Sequence, residues 1–169
     1  TILQTEEVVA PSIIPPASRK VAVLGKVSVS SQRKETFSEV LMTIDEILSL
    51  QRGQKGLIYS HTDELAQFIK ENSVFKDDLL YHERRKLNEA MHLFKDMKPP
   101  SVLITTAAGG HGISLDDDLA RFLIIAKMPF QDMGDPWVMV QPEAWKIYDT
   151  VSKVLQICGR VVRGPEDHA

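Results

Sequence analysis

Residues 56-GLIYSHTDELAQFI-69 change their periodicity halfway along, and that change decides the fold. The run 57-LIYS-60 is short and apolar, as in a strand covered on both faces. In 63-DELAQFIKEN-72 the apolar residues recur at three- and four-residue spacing, which predicts a helix. The same alternation continues downstream. Strands are predicted at 79-LLYH-82, 102-VLIT-105 and 122-FLIIA-126, with a helix over 83-ERRKLNEAMHLFKDM-97. Upstream, Phe37, Val40, Leu41, Ile44, Ile47 and Leu48 predict a helix over 35–51, with Gly53 just past its end. The β-branched 20-KVAVLGKVSVS-30 predicts another strand, and Pro11, Pro15 and Pro16 mark residues 1–18 as an extended leader. A last helix is predicted over 142-PEAWKIYDTVSKVLQICGRVVR-163. The expectation is one α/β domain over residues 19–169, a mainly parallel sheet with helices on both faces in three layers.

Composition narrows the function. The 169 residues are 43% hydrophobic and 25% charged, which suits a single core. A net charge of −3 gives no global basic field, so any nucleic-acid contact must come from local groups. No apolar run approaches the roughly 20 residues that span a bilayer, and TILQTEEVVAPS has no signal-peptide pattern. One cysteine, Cys158, cannot by itself hold a zinc ion or an iron–sulfur cluster. An intracellular protein with no membrane partner and no metal site of its own is expected.

Parallel sheets bind ligands where their strands end and loops lead into helices. Three such loops stand out: 60-SHTD-63, 105-TTAAGGHGIS-114 and 127-KMPFQDMGDPW-137. The last helix adds a fourth element. At about 100° per residue, Gln156, Gly159, Arg160 and Arg163 fall on one stripe, opposite Val151, Val154, Leu155, Cys158, Val161 and Val162. The apolar side is expected to be buried. Glycine inside a helix costs about 1 kcal/mol relative to alanine, so something should approach the backbone there. Two guanidinium forks one turn apart suit a polyphosphate. Read singly, these features have plainer meanings. A GRxxR pair can be surface arginines, and His61 and His82 can be structural histidines. Thr105 and Thr106 can be ordinary strand residues, and Trp137 and Trp145 suit packing.

Taken in order, the segments resemble the second RecA-like lobe of superfamily 2 helicases, in the XPD-like and DinG-like branch. The family's Q-x-x-G-R-x-x-R is matched by Gln156, Gly159, Arg160 and Arg163. Its strand ending in a Ser/Thr/His cluster is similar to 56-GLIYSHTDELAQFI-69, and its threonine strand with glycine loop to 102-VLITTAAGGHGIS-114. The strand and Pro-Phe loop that follow are similar to 121-RFLIIAKMPFQDMGDP-136.

The resemblance implies a P-loop NTPase-type motor of two lobes, with ATP in the cleft between them and single-stranded DNA across the top. It implies catalytic roles for three residues. Arg163 would be the arginine finger, Arg160 a second phosphate ligand, and Gln156 would position the nucleotide or the attacking water. Gly159, Gly112 and Ser114 would line the nucleotide, and Ser60, His61, Thr62, Thr105 and Thr106 would meet the DNA backbone. Partners would be the strand and an N-terminal lobe of the same protein. The cofactor would be ATP with Mg2+ held mainly by that lobe, where many members also carry an iron–sulfur cluster. Where the family has Gly-x-Asp, this chain has Gly112, Ile113 and Ser114, and it lacks a G-x-x-x-x-G-K-[ST] loop. It is therefore expected to be a piece of a longer protein, inactive alone. The alternative is a passive RecA-like module that binds DNA or protein.

Overall fold

Four strands carry the architecture: β1 (Lys55–His61), β2 (Leu79–Tyr81), β3 (Ser101–Thr106) and β4 (Leu123–Ile125). The computed structural model describes residues 20–24, 35–82, 86–107, 115 and 117–162. All strand pairs are parallel, in the order β2-β3-β1-β4. Helices α1 (Thr36–Leu50), α2 (Asp63–Asn72), α3 (Leu87–Asp96), α4 (Pro136–Met139) and α5 (Glu143–Cys158) complete the described elements.

Side-chain alternation along each strand divides the core in two. Ile58, Val102, Ile104, Phe122 and Ile124 pack with Phe37, Leu41, Ile44 and Leu48 of α1 and with Leu65, Ala66 and Ile69 of α2. Leu57 and Leu103 face the other way, onto Phe94 of α3, Leu115, Ala120, Val161 and Val162. The sheet therefore has cover on both faces, the three-layer α/β arrangement that the uninterrupted apolar strands imply. The crossover handedness agrees. From β1 the chain moves one way to β2 through α2, then returns to β3 through α3, and right-handed connections in opposite directions put those helices on opposite faces.

Gly56 is fixed by this packing. A Cβ there would overlap the ring of Phe122, which is itself buried in the α1/α2 core. Gly56→Ala is expected to cost about 2 kcal/mol, the usual scale for overpacking a core. A urea titration of the two proteins measures it.

Lys55 opens β1 with an ammonium inside the protein. The residue is 5% exposed. Its Nζ donates to the carbonyls of Phe94 (2.6 Å), Lys95 (3.2 Å) and Met97 (2.7 Å), and lies 4.7 Å from the centre of the Phe94 ring. Those oxygens belong to the last turn of α3, where helix carbonyls lack partners and the dipole favours a cation. Burial lowers the Lys55 pKa, and Asp96 partly opposes the shift. On the other face of the sheet, Asp45 of α1 fastens the chain just past the end of α2. It accepts from Ser73 Oγ (2.5 Å) and the Val74 amide (3.3 Å).

Three expectations are corrected. Residues 20–24 form no strand, and Val21 and Val23 are exposed; the remainder of 20–30 lies outside the described residues. The final helix ends at Cys158, not at 163. Its apolar side is not buried as expected either: Val151 is 50% and Leu155 64% exposed. Thr150 and Ile157 are the buried positions of α5, and only past its end do Val161 and Val162 enter the core. Ile147, Tyr148, Val151 and Leu155 of the helix face outward. No helix among the described residues is long and apolar enough to cross a membrane.

Candidate nucleotide and strand site

Adjacent strands β1 and β3 send their chains in opposite directions from the carboxyl edge, the topology at which open parallel sheets bind ligands. The sequence-derived residues gather there. β1 delivers Ser60 and His61, Thr62 begins α2, and β3 delivers Thr105 and Thr106. A register irregularity between Tyr59 and His61 sets His61 opposite Thr106. At that point His61 has φ 67°, a left-handed backbone conformation that histidine enters more often than most residues.

Ser60 is fully buried, and its hydroxyl lies 3.1 Å from the carbonyls of both Thr62 and Thr105, which share its one hydrogen. It ties the two loops together and sets their spacing. Thr105 and Thr106 are also buried, and Thr105 Oγ1 has no hydrogen-bond partner among the described residues. Strand alternation puts that hydroxyl on the face of Leu103, the side that receives Val161 and Val162. Thr62 is partly exposed at the N-cap of α2, and its hydroxyl makes no capping bond. Of the five, His61 and Thr62 are the partly exposed pair.

His61 has neighbours that the sequence did not announce. The Tyr59 hydroxyl lies 3.1 Å from its Nδ1. Burial lowers the pKa of His61 from its usual 6.5, and Lys127 and Lys153 lower it further. The unfolded chain therefore binds this proton more readily than the folded one. Stability from neutral His61 is complete above about pH 6.5 and is lost as pH falls through the lower folded pKa. Denaturant titrations near pH 7.5 and about pH 5.5 should show that loss in the native protein and less of it in His61→Gln.

Gln156 and Gly159 are exposed and Arg160 is partly buried. Gly159 is the C-cap, with φ −67° and its amide on the Leu155 carbonyl at 2.9 Å. Its role in the helix interior is thereby corrected. The backbone there needs no left-handed residue, and a Cβ would make only ordinary contacts with Leu155 O (3.4 Å) and Gln156 O (3.6 Å). Packing among the described residues does not demand this glycine. Ending the helix also turns Val161 and Val162 into the core while Arg160 stays at the rim. The Arg160 carbonyl accepts from the Leu115 amide at 3.2 Å, which fastens this turn to the chain just past the glycine loop. Arg163, Gly112 and Ser114 lie outside the described residues.

The opposite edge of the sheet has a groove of ≈750 Å³ bordered by Gln51, Lys55, Lys95, Asp118 and Arg121. Its best-placed cations are engaged: Lys55 by three carbonyls and Arg121 by Asp118 at 2.6 Å. The threonines and His61 belong instead to the carboxyl edge. No group of His, Cys, Asp and Glu that could hold a metal occurs among the described residues.

No curated protein matches the chain. A family model described as the helicase C-terminal domain matches residues 58–169, which begins within β1 and runs through the Arg160 turn. The match covers well over half of the chain and contains the strand ends, the loop after β3 and the arginine turn, which leads to one assignment: the chain belongs to the helicase C-terminal domain family, in its XPD/DinG-type branch.

Proposed function

We propose that this chain is the second motor lobe of an ATP-dependent DNA helicase or translocase. ATP would lie between it and an N-terminal lobe of the same protein, and a single strand would cross the carboxyl edge of the sheet. The observation that carries this reading is the Leu115–Arg160 backbone bond. It ties the arginine-bearing turn to Leu115, downstream of β3. In this reading the phosphate ligands and the strand ligands work at one edge of the sheet. Arg163 acts as the arginine finger, Arg160 as a second phosphate ligand, and Gln156 positions the nucleotide or the attacking water. The exposed backbone at Gly159 lets the phosphates approach, and Gly112 and Ser114 line the same nucleotide. Magnesium is held mainly by the other lobe. Thr62 and His61 reach the strand directly. Buried Ser60, Thr105 and Thr106 fix the loops whose amides meet phosphate, a contact that needs no net positive charge.

The complete protein, assayed with a thymidine oligonucleotide, tests this. Hydrolysis of ATP should rise at least about tenfold when the strand is added, as expected where charge compensation in the closed cleft limits the rate. A protein that binds the oligonucleotide but hydrolyses no ATP would be the passive module instead.

A further inference from the structure

The Ala126 amide donates to the Tyr59 carbonyl at 2.8 Å, which sets Lys127 beside the end of β1, and Asp149 of α5, the partner of Lys153, accepts from Gln131 of the same loop; both lysines oppose protonation of His61. Three basic side chains from three separate elements thus converge where β1 ends. Like charges this close disfavour the protonated imidazole, and a bound anion would relieve that repulsion. Lys153 is held by Asp149 at 2.8 Å, one turn earlier, and Asp149 also accepts from Gln131 of the loop after β4. That pair is open to water, with side chains 37% and 25% exposed, so a phosphate can compete for the lysine. The backbone of His61 adds a second observation. A non-glycine residue held at positive φ is a mark of functional sites. Phe130 (66% exposed) and Tyr148 (72% exposed) lie on the same two segments as Lys127 and Lys153. Basic groups interleaved with exposed rings suit a strand whose bases stack while its phosphates are held.

We propose that His61, Lys127 and Lys153 form a phosphodiester clamp for a single strand, with Asp149 holding Lys153 in position until the strand arrives. This rests on the nucleic-acid reading above and extends it to two lysines and a latch. The groups facing the imidazole are Tyr59 on its own strand, Thr106 across the sheet, Lys127 after β4, and the Lys153–Asp149 pair of α5. A bound phosphate favours protonated His61, so strand binding takes up a proton and strengthens as pH falls.

The test is fluorescence anisotropy of a 5′-fluorescein thymidine 12-mer titrated with the full chain, over a range of salt and between about pH 6 and pH 8. The native chain should bind more tightly at the lower pH. Lys127→Gln and Lys153→Gln should each weaken binding several-fold and lower the salt slope by about 0.7, the value for one phosphate contact on a single strand. His61→Gln should remove the pH dependence, and Asp149→Asn should tighten binding by freeing Lys153. Thermal melts show that each variant is folded. A folded Lys127→Gln/Lys153→Gln double variant with native affinity and salt slope would overturn the clamp and leave the nucleic-acid reading intact. A native chain that ignores the 12-mer would remove both. Competition by ATP that depends on the two lysines, with the 12-mer unaffected by them, would assign the site to the nucleotide and overturn the strand proposal.

Discussion

Arg163→Ala in the complete protein is expected to slow strand-stimulated ATP hydrolysis by about a thousandfold, the lower end of what an arginine finger supplies. The γ-phosphoryl group in transfer spreads negative charge over its oxygens, and a fork donor compensates that charge without moving solvent. The turn that precedes Arg163 is well anchored for this. Val161 and Val162 are buried, and the Arg160 carbonyl is fixed to Leu115. Arg163→Lys should recover little, because an ammonium is a point charge and cannot present the fork. Steady-state hydrolysis at saturating oligonucleotide, with an unchanged melting temperature, is the measurement. Activity within a few-fold of the native protein would refute the assignment of Arg163.

The second large effect concerns stability. Lys55→Met removes the ammonium that three carbonyls of the α3 terminus share, and methionine fills similar space with no donor. Leaving buried acceptors unpaired costs about 1–3 kcal/mol each. Against this stands relief of the ammonium's own desolvation, the reason its pKa is lowered. The net loss should be about 3 kcal/mol, or roughly 10 °C in melting temperature for a domain of this size. Calorimetry near neutral pH would show it. A loss under about 1 kcal/mol would mean that the carbonyls find other partners or that desolvation nearly cancels the bonds.

How far the sequence could be read depends on what each signal reports. The strands 57–60, 79–82, 102–105 and 122–126 were legible because burial on both faces leaves unbroken apolar runs, and α2 begins and ends where its pattern does. Helix α5 misled because periodicity records which side is apolar, not whether a neighbour covers it. Val151 and Leu155 have the right spacing and face outward. The helix end at Gly159 was hidden because Val161 and Val162 continue the pattern while leaving the helix. At the site, Ser60, His61, Thr105 and Thr106 could be named from strand ends. Their division into buried and partly exposed groups could not, since it depends on how β1 and β3 pair. Lys127 was in view within its loop, but its proximity to His61 and Lys153 exists only after β4 and α5 are placed.

The claim on which the functional reading depends is that the carboxyl edge of the sheet meets the strand. A thymidine oligonucleotide carrying 4-thiothymidine can be cross-linked to the protein by light and the attachment sites mapped by mass spectrometry. Cross-links are expected at residues 60–62 and along 127–131. Cross-links confined to the groove of Gln51, Lys55, Lys95 and Arg121 would place the strand at the opposite edge and contradict it.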